Sequence, residues 1–177
     1  MTGAPPVIVM MGVSGSGKTT VGERLARRLG WPFKEGDDLH PPGNVARMER
    51  GVALTDADRA PWLAAVADWI DGWGRAGVSG VITCSALRRA YRRTLADGRP
   101  QVRFVYLKAD AALLRDRLAA RAGHFMPPSL LASQLADLEP PTADEAIAID
   151  AGPAVDAQVE SIVEALATPA QPPVKAS

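Results

Sequence analysis

The sequence predicts an α/β fold, an open, mostly parallel five-stranded sheet with helices on both faces. Three observations carry that expectation. Short apolar runs alternate with helical patterns along most of the chain, which is the signature of βαβ units. The first run, Pro6-Val-Ile-Val-Met-Met11, is apolar throughout, as a strand buried on both faces requires. It passes directly into a glycine-rich turn and then into a helical stripe of Val21, Leu25 and Leu29.

The later elements follow on the same grounds. Gly30 ends the first helix, and Trp31 to Glu35 reads as the second strand. A helix over 58–76 places Trp62, Val66, Trp69, Ile70 and Trp73 on one stripe, the spacing of a core face. Gly80 to Cys84 and Val102 to Leu107 give the third and fourth strands, and Ala146 to Ile149 a weaker fifth. Helical patterns cover 86–97, 110–122 and 154–167. Crossovers between such parallel strands are right-handed. Two segments break the alternation. Residues 34–57, rich in Gly, Pro and charge, support only short helices, and 121–129 joins two helical patterns. Insertions of this kind carry function on an α/β scaffold. One domain is expected over 1–167, and the aperiodic tail 168–177 is expected to be disordered.

Bulk properties exclude several classes. Lys+Arg and Asp+Glu both number 20 in 177 residues, so the basic excess of a nucleic-acid binder is missing. The single cysteine, Cys84, rules out an intramolecular disulfide and, within an apolar run, reads as a small buried hydrophobe. No apolar stretch reaches bilayer length, and Met1 to Pro6 lacks the regions of a signal peptide. The expected location is cytoplasmic, without membrane association.

Gly12-Val13-Ser14-Gly15-Ser16-Gly17-Lys18-Thr19 matches G-x-x-x-x-G-K-[ST] between a strand and a helix. The glycines let successive backbone N–H groups converge on an anion, and the helix aims its positive end at the same point. Lys18 brings charge to the β- and γ-phosphates and Thr19 a hydroxyl to Mg²⁺; Thr20 continues the cradle. The loop implies a bound nucleoside triphosphate but not its use, because switches and motors share it.

The acceptor side carries a resemblance. Gly36-Asp37-Asp38-Leu39-His40-Pro41 with Asn44 and Met48, Leu54-Thr-Asp-x-Asp-Arg-x-Pro-Trp-Leu63, Cys84-Ser-Ala-Leu-Arg-Arg-x-Tyr-Arg92, Phe104-Val-Tyr-Leu107 and Arg117-Leu-x-x-Arg-x-Gly-His-Phe125 follow in order. With the phosphate loop, this set resembles the P-loop gluconokinases, relatives of shikimate and adenylate kinases. The resemblance implies a P-loop kinase fold with a small lid, ATP and Mg²⁺, phosphorylation of D-gluconate to 6-phospho-D-gluconate, and a possible homodimer. Other readings stand beside it: a kinase for another small carboxylate such as shikimate, or a nucleotide-dependent switch.

The residues fit such chemistry. Asp37, at the carboxyl end of the second strand, can orient the acceptor hydroxyl and take its proton, although spacing alone equally suits a turn aspartate. Arg59 is the first candidate for a substrate carboxylate, a choice that follows the resemblance to shikimate kinases. His40 and Asn44 are candidate hydroxyl partners. Arg47, Ser85, Arg88 and Gln134 complete the acceptor set. Arg88 and Arg92 are spaced to share a helix face, as are Arg89 and Arg93; the first pair is expected to face the site. An acceptor-binding insertion is expected over about 36–60 and a lid over about 117–129. There Arg117 and Arg121 lean over the phosphates, Gly123 hinges, and Phe125 and Met126 cap the site, with His124 a local hydrogen-bonding group. The third strand ends without an Asp for Mg²⁺, leaving the metal on Thr19, phosphates and water, with Asp37 reaching it through water.

Overall fold

The computed structural model describes residues 3–121 and 128–168. The chain runs β1 (Val7–Met11), α1 (Lys18–Leu29), β2 (Phe33–Lys34), a 3₁₀ turn (Gly36–Leu39), α2 (Pro42–Glu49), α3 (Asp56–Ala76) and β3 (Gly80–Thr83). It continues through α4 (Arg89–Ala96), β4 (Val102–Lys108), α5 (Ala111–Ala120), α6 (Pro128–Asp137), β5 (Ala146–Asp150) and α7 (Val155–Ala167). The five strands form one sheet in the order β2-β3-β1-β4-β5, and every pairing is parallel.

Strand β1 lies at the centre, and its side chains alternate between two cores. Val7, Val9 and Met11 pack with Trp62, Val66 and Ile70 of α3 and with Tyr91 and Leu95 of α4. Ile8 and Met10 pack on the other face with Val21 and Leu25 of α1 and Val159 and Ile162 of α7. Every residue of β1 is fully buried, at roughly 1.5–3 kcal/mol of stabilisation for each large aliphatic side chain. A third, smaller cluster, Val13, Leu87, Leu114 and Leu131, lies beneath the phosphate loop and ties it to α5 and α6.

Local signals set the element ends. Thr55 and Asp58 form a reciprocal capping box at the start of α3, and Gly30 and Gly77 close α1 and α3 in left-handed conformations. The expected elements differ from the structure in three places. β2 is two residues long, because only Phe33 and Lys34 reach β3. The helix expected over 86–97 begins at Arg89, since Ser85 to Arg88 form a kinked turn with Ala86 at φ 45°. Trp69 is not core: it is 40% exposed, with the Lys34 ammonium 4.7 Å from its ring centre. The core stripe of α3 is Trp62, Leu63, Val66, Ala67 and Ile70, and Trp73 packs partly buried at its edge. No helix among the described residues is long and apolar enough to cross a membrane.

Candidate active site

The parallel topology brings three strand ends to one edge: Met11 before the glycine loop, Lys34 before Glu35 and Asp37, and Thr83 before Ser85. Ligands in open α/β sheets bind outside this carboxyl edge.

In the glycine loop, Gly12, Gly15 and Gly17 all have positive φ. Gly12 could not be another residue without movement, because a Cβ there would come 2.9 Å from Ser16 Oγ and 3.0 Å from the Leu107 carbonyl. Lys18 opens α1, and its ammonium donates to the Val13 carbonyl at 3.1 Å, folded across the loop it would serve. Burial pushes the Lys18 pKa down, the Asp37 and Glu35 carboxylates oppose that, and Arg121 adds to the lowering. Thr19 and Thr20 face solvent. Arg117, on α5, donates to the Ser16 carbonyl at 3.0 Å and to the Ala151 carbonyl, so it braces the loop from its flank. Arg121 is the exposed cap residue at the end of α5.

Glu35 is the residue that the sequence reasoning missed. Its carboxylate accepts from the hydroxyls of both Thr19 and Thr83, joining the phosphate loop to the ends of β2 and β3. Gly36 follows with its amide bonded to Thr83 Oγ1 at 2.9 Å. A Cβ on Gly36 would sit 1.8 Å from the Thr83 carbonyl, and this close passage sets where Asp37 emerges. Asp37 is raised above the usual carboxylate range by desolvation at the cleft, against the pull of Lys18. With 71% of its side-chain surface open, solvent limits that push. A hydroxyl and a carboxylate at the head of a phosphate loop suit a hard divalent cation, so Thr19 with Glu35 fits Mg²⁺ better than Thr19 alone.

A cleft of about 640 Å³, counting its open mouth, joins the donor loop to the acceptor side; Ser14, Lys18, Asp37, His40, Arg59, Ser85 and Gln134 all line it. His40 stacks on Trp62 with ring centres 4.1 Å apart. Burial, with a smaller push from Arg59, lowers its pKa to about 4, so His40 is neutral near pH 7 and presents a hydrogen-bonding ring. Gln134, on α6, accepts from the Ser14 amide at 2.7 Å. Arg59 donates to the Tyr91 hydroxyl at 2.8 Å and to Asp137 at 2.9 Å. Burial would raise the Asp137 carboxyl, but hydrogen bonds from Arg88 and Arg59 outweigh it and hold the group low.

Three expected acceptor residues stand back from the cleft. Asn44 is buried and donates to the Asp58 carbonyl at 2.8 Å, fastening α2 to α3 beside His40. Arg47 reaches Asp58 at 3.4 Å with its side chain 46% exposed. Arg88 bonds Asp137 at 2.6 Å and approaches Asp56, a neighbour of the Arg59 network rather than a wall of the cleft. Arg88 and Arg92 do not share a face. Arg88 caps α4 in an extended conformation, while Arg92 turns inward and is 3% exposed. Leu54 and Trp62 line the cleft as well. The expected lid residues Gly123, His124, Phe125 and Met126 lie outside the described residues.

A family model described as an AAA domain matches residues 7–141. A gluconokinase of Gluconobacter oxydans (strain 621H) is 55% identical over 143 residues, covering 81% of this chain and 80% of that protein. The chain belongs to the gluconokinase family. Among gluconokinases of known structure, one from Sinorhizobium meliloti 1021 is 43% identical, with a TM-score of 0.83 and 94% of each chain covered. A sugar kinase from Janibacter sp. HTCC2649 superposes with a TM-score of 0.87 at 47% identity, over 92% of this chain and 94% of that one. The AAA-domain match covers the glycine loop and every residue that lines the cleft. Within the gluconokinase family the chain is a kinase, and its five-stranded parallel sheet is the family's fold.

Proposed function

We propose that the chain transfers the γ-phosphoryl group of ATP to D-gluconate, giving 6-phospho-D-gluconate. The observation that carries the reading is one cleft lined by Lys18, Asp37 and Arg59 together, a phosphate cation, a carboxylate and a cation for a distant acid. The similarity to curated gluconokinases supports gluconate as the acid.

Phosphoryl transfer needs the acceptor hydroxyl in line and the spreading negative charge neutralised. The glycine loop cradles the phosphates through its N–H groups, and Lys18 swings from the Val13 carbonyl to the transferred phosphoryl. Asp37 accepts a hydrogen bond from the attacking hydroxyl and takes its proton as the new P–O bond forms. Arg59 holds the substrate carboxylate at the far end, which aims the terminal hydroxyl at the donor. Neutral His40, Ser85 and Gln134 serve the intervening hydroxyls. Thr19 and Glu35 would hold Mg²⁺, which supplies neutralisation of the β- and γ-phosphate charge. Arg117 and Arg121 add positive charge at the loop's flank.

A panel of sugar acids assayed by coupled ADP release tests this. Gluconate is expected to give the highest kcat/KM. Turnover of shikimate with none of gluconate would reject the reading.

A further inference from the structure

We propose that Arg92 is a positioning residue for the acceptor side, holding the Ser85–Leu87 turn in the kink that presents Ser85 to the cleft. The inference rests on the reading of that cleft as the acceptor site.

Ser85 and Leu87 both line the cleft, while Ala86 between them is fully buried in the core against α3 and α4. The backbone turns sharply between them. Ala86 stands at φ 45°, and it is the one non-glycine residue with positive φ among the described residues. A side chain disfavours that conformation, which persists only where surrounding structure imposes it.

The imposing contacts are present. Arg92 Nη1 donates to the carbonyls of Ala86 at 3.0 Å and Leu87 at 3.2 Å. On the other side, the Ser85 carbonyl accepts from the Gly12 amide at 3.2 Å and the Leu87 carbonyl from the Glu139 amide at 2.9 Å. The Arg92 grip is costly. Its side chain is 3% exposed, and Nε and Nη2 are buried without a hydrogen-bond partner among the described residues. Glu145, 3.5 Å from Nη2, offsets the charge but does not complete those bonds. A buried guanidinium with unmet donors is a poor choice for packing alone. It is intelligible where its Nη1 group must donate to two successive carbonyls at once from a buried position.

The experiment compares wild type, Arg92→Gln, Arg92→Lys, Ala86→Gly and the Arg92→Gln/Ala86→Gly pair. Two readouts are taken: steady-state kinetics, and hydrogen exchange of the Gly12 amide in the free protein. Arg92→Gln is expected to raise the gluconate KM on the order of tenfold, with the ATP KM changed less than about twofold. Gly12 exchange should quicken in parallel. Adding Ala86→Gly, which allows the left-handed conformation without strain, should recover most of both effects. Arg92→Lys should fall between wild type and Arg92→Gln, and covers the case in which the glutamine variant fails to fold. A lower Tm with unchanged gluconate KM and unchanged Gly12 exchange would overturn the proposal, as would a double variant no better than Arg92→Gln. If wild type releases no ADP with gluconate, the substrate reading fails separately, and Gly12 exchange still decides whether Arg92 holds the turn.

Discussion

The two halves of the cleft are built on different principles. The donor half is a backbone device: three glycines at positive φ, one lysine and one helix start, all within eight consecutive residues. The acceptor half is a side-chain device assembled from distant segments. Arg59 is held by Tyr91 and Asp137, 32 and 78 residues away in sequence, and Arg88 shares the same Asp137. Every strong cation there already has an anionic partner, so a substrate carboxylate must join an existing network. The loop owes its shape first to its own glycines, with Arg117 and Gln134 bracing it, whereas the acceptor wall owes its geometry to the fold.

Substitutions can break each half separately. Lys18→Ala should have the largest effect, lowering kcat by roughly 10³-fold, because its charge is needed most as negative charge spreads over the phosphoryl oxygens. Single-turnover rates with saturating gluconate would measure it. Asp37→Asn keeps the shape and removes the proton acceptor. It should cost kcat about 10²-fold or more while ATP affinity, read by calorimetry, stays near wild type. A near-normal kcat would remove Asp37 from the chemistry. On the acceptor side, Arg59→Ala should raise the gluconate KM by roughly 10–100-fold with a smaller fall in kcat. Asp137→Asn, which frees Arg59 without deleting it, should raise KM by less. Equal effects of both on the ATP KM would mean that the two halves are not separable in this way.

The same contrast explains what the sequence made legible. β1, the glycine loop and α1 are contiguous, each with a local signature, and four of the five strands could be marked from apolar runs alone. Glu35 had no such signature, since an acid after a short strand looks like any turn residue. Its role arises only when the β2–β3 pairing brings Thr83 beside it and the glycine loop brings Thr19. Asn44 and Arg88 carry the residue types of ligand-binding groups and lie near the cleft, but the fold spends their polarity on Asp58 and Asp137. Arg88 and Arg92 part company because i,i+4 spacing assumes a continuous helix, and the turn at Ala86 leaves Arg88 at its cap. Trp69 sits at the margin of a wide apolar stripe, where one position of rotation separates core from solvent.

The smallest expected effect concerns pH and again separates the halves. His40 has its pKa lowered to about 4 by burial against Trp62 and by the charge of Arg59, against about 6.5 in an unfolded chain. Between those values the unfolded state binds a proton that the folded state refuses, so stability falls as pH drops from about 6.5 to about 4. The hydrogen-bonded acids Asp58, Asp71, Asp137 and Glu145 are shifted down. Their contribution is lost only as pH falls below the ordinary carboxylate range, a lower window. Asp37, shifted up, works in the opposite sense, gaining stability as it protonates. Thermal melts from about pH 7 to about pH 3 should therefore show a decline in Tm that His40→Gln flattens between about pH 6.5 and about pH 4 and leaves intact below. Curves of equal slope for the two proteins over the upper window would mean that His40 is as open to protons in the folded state as in the unfolded one.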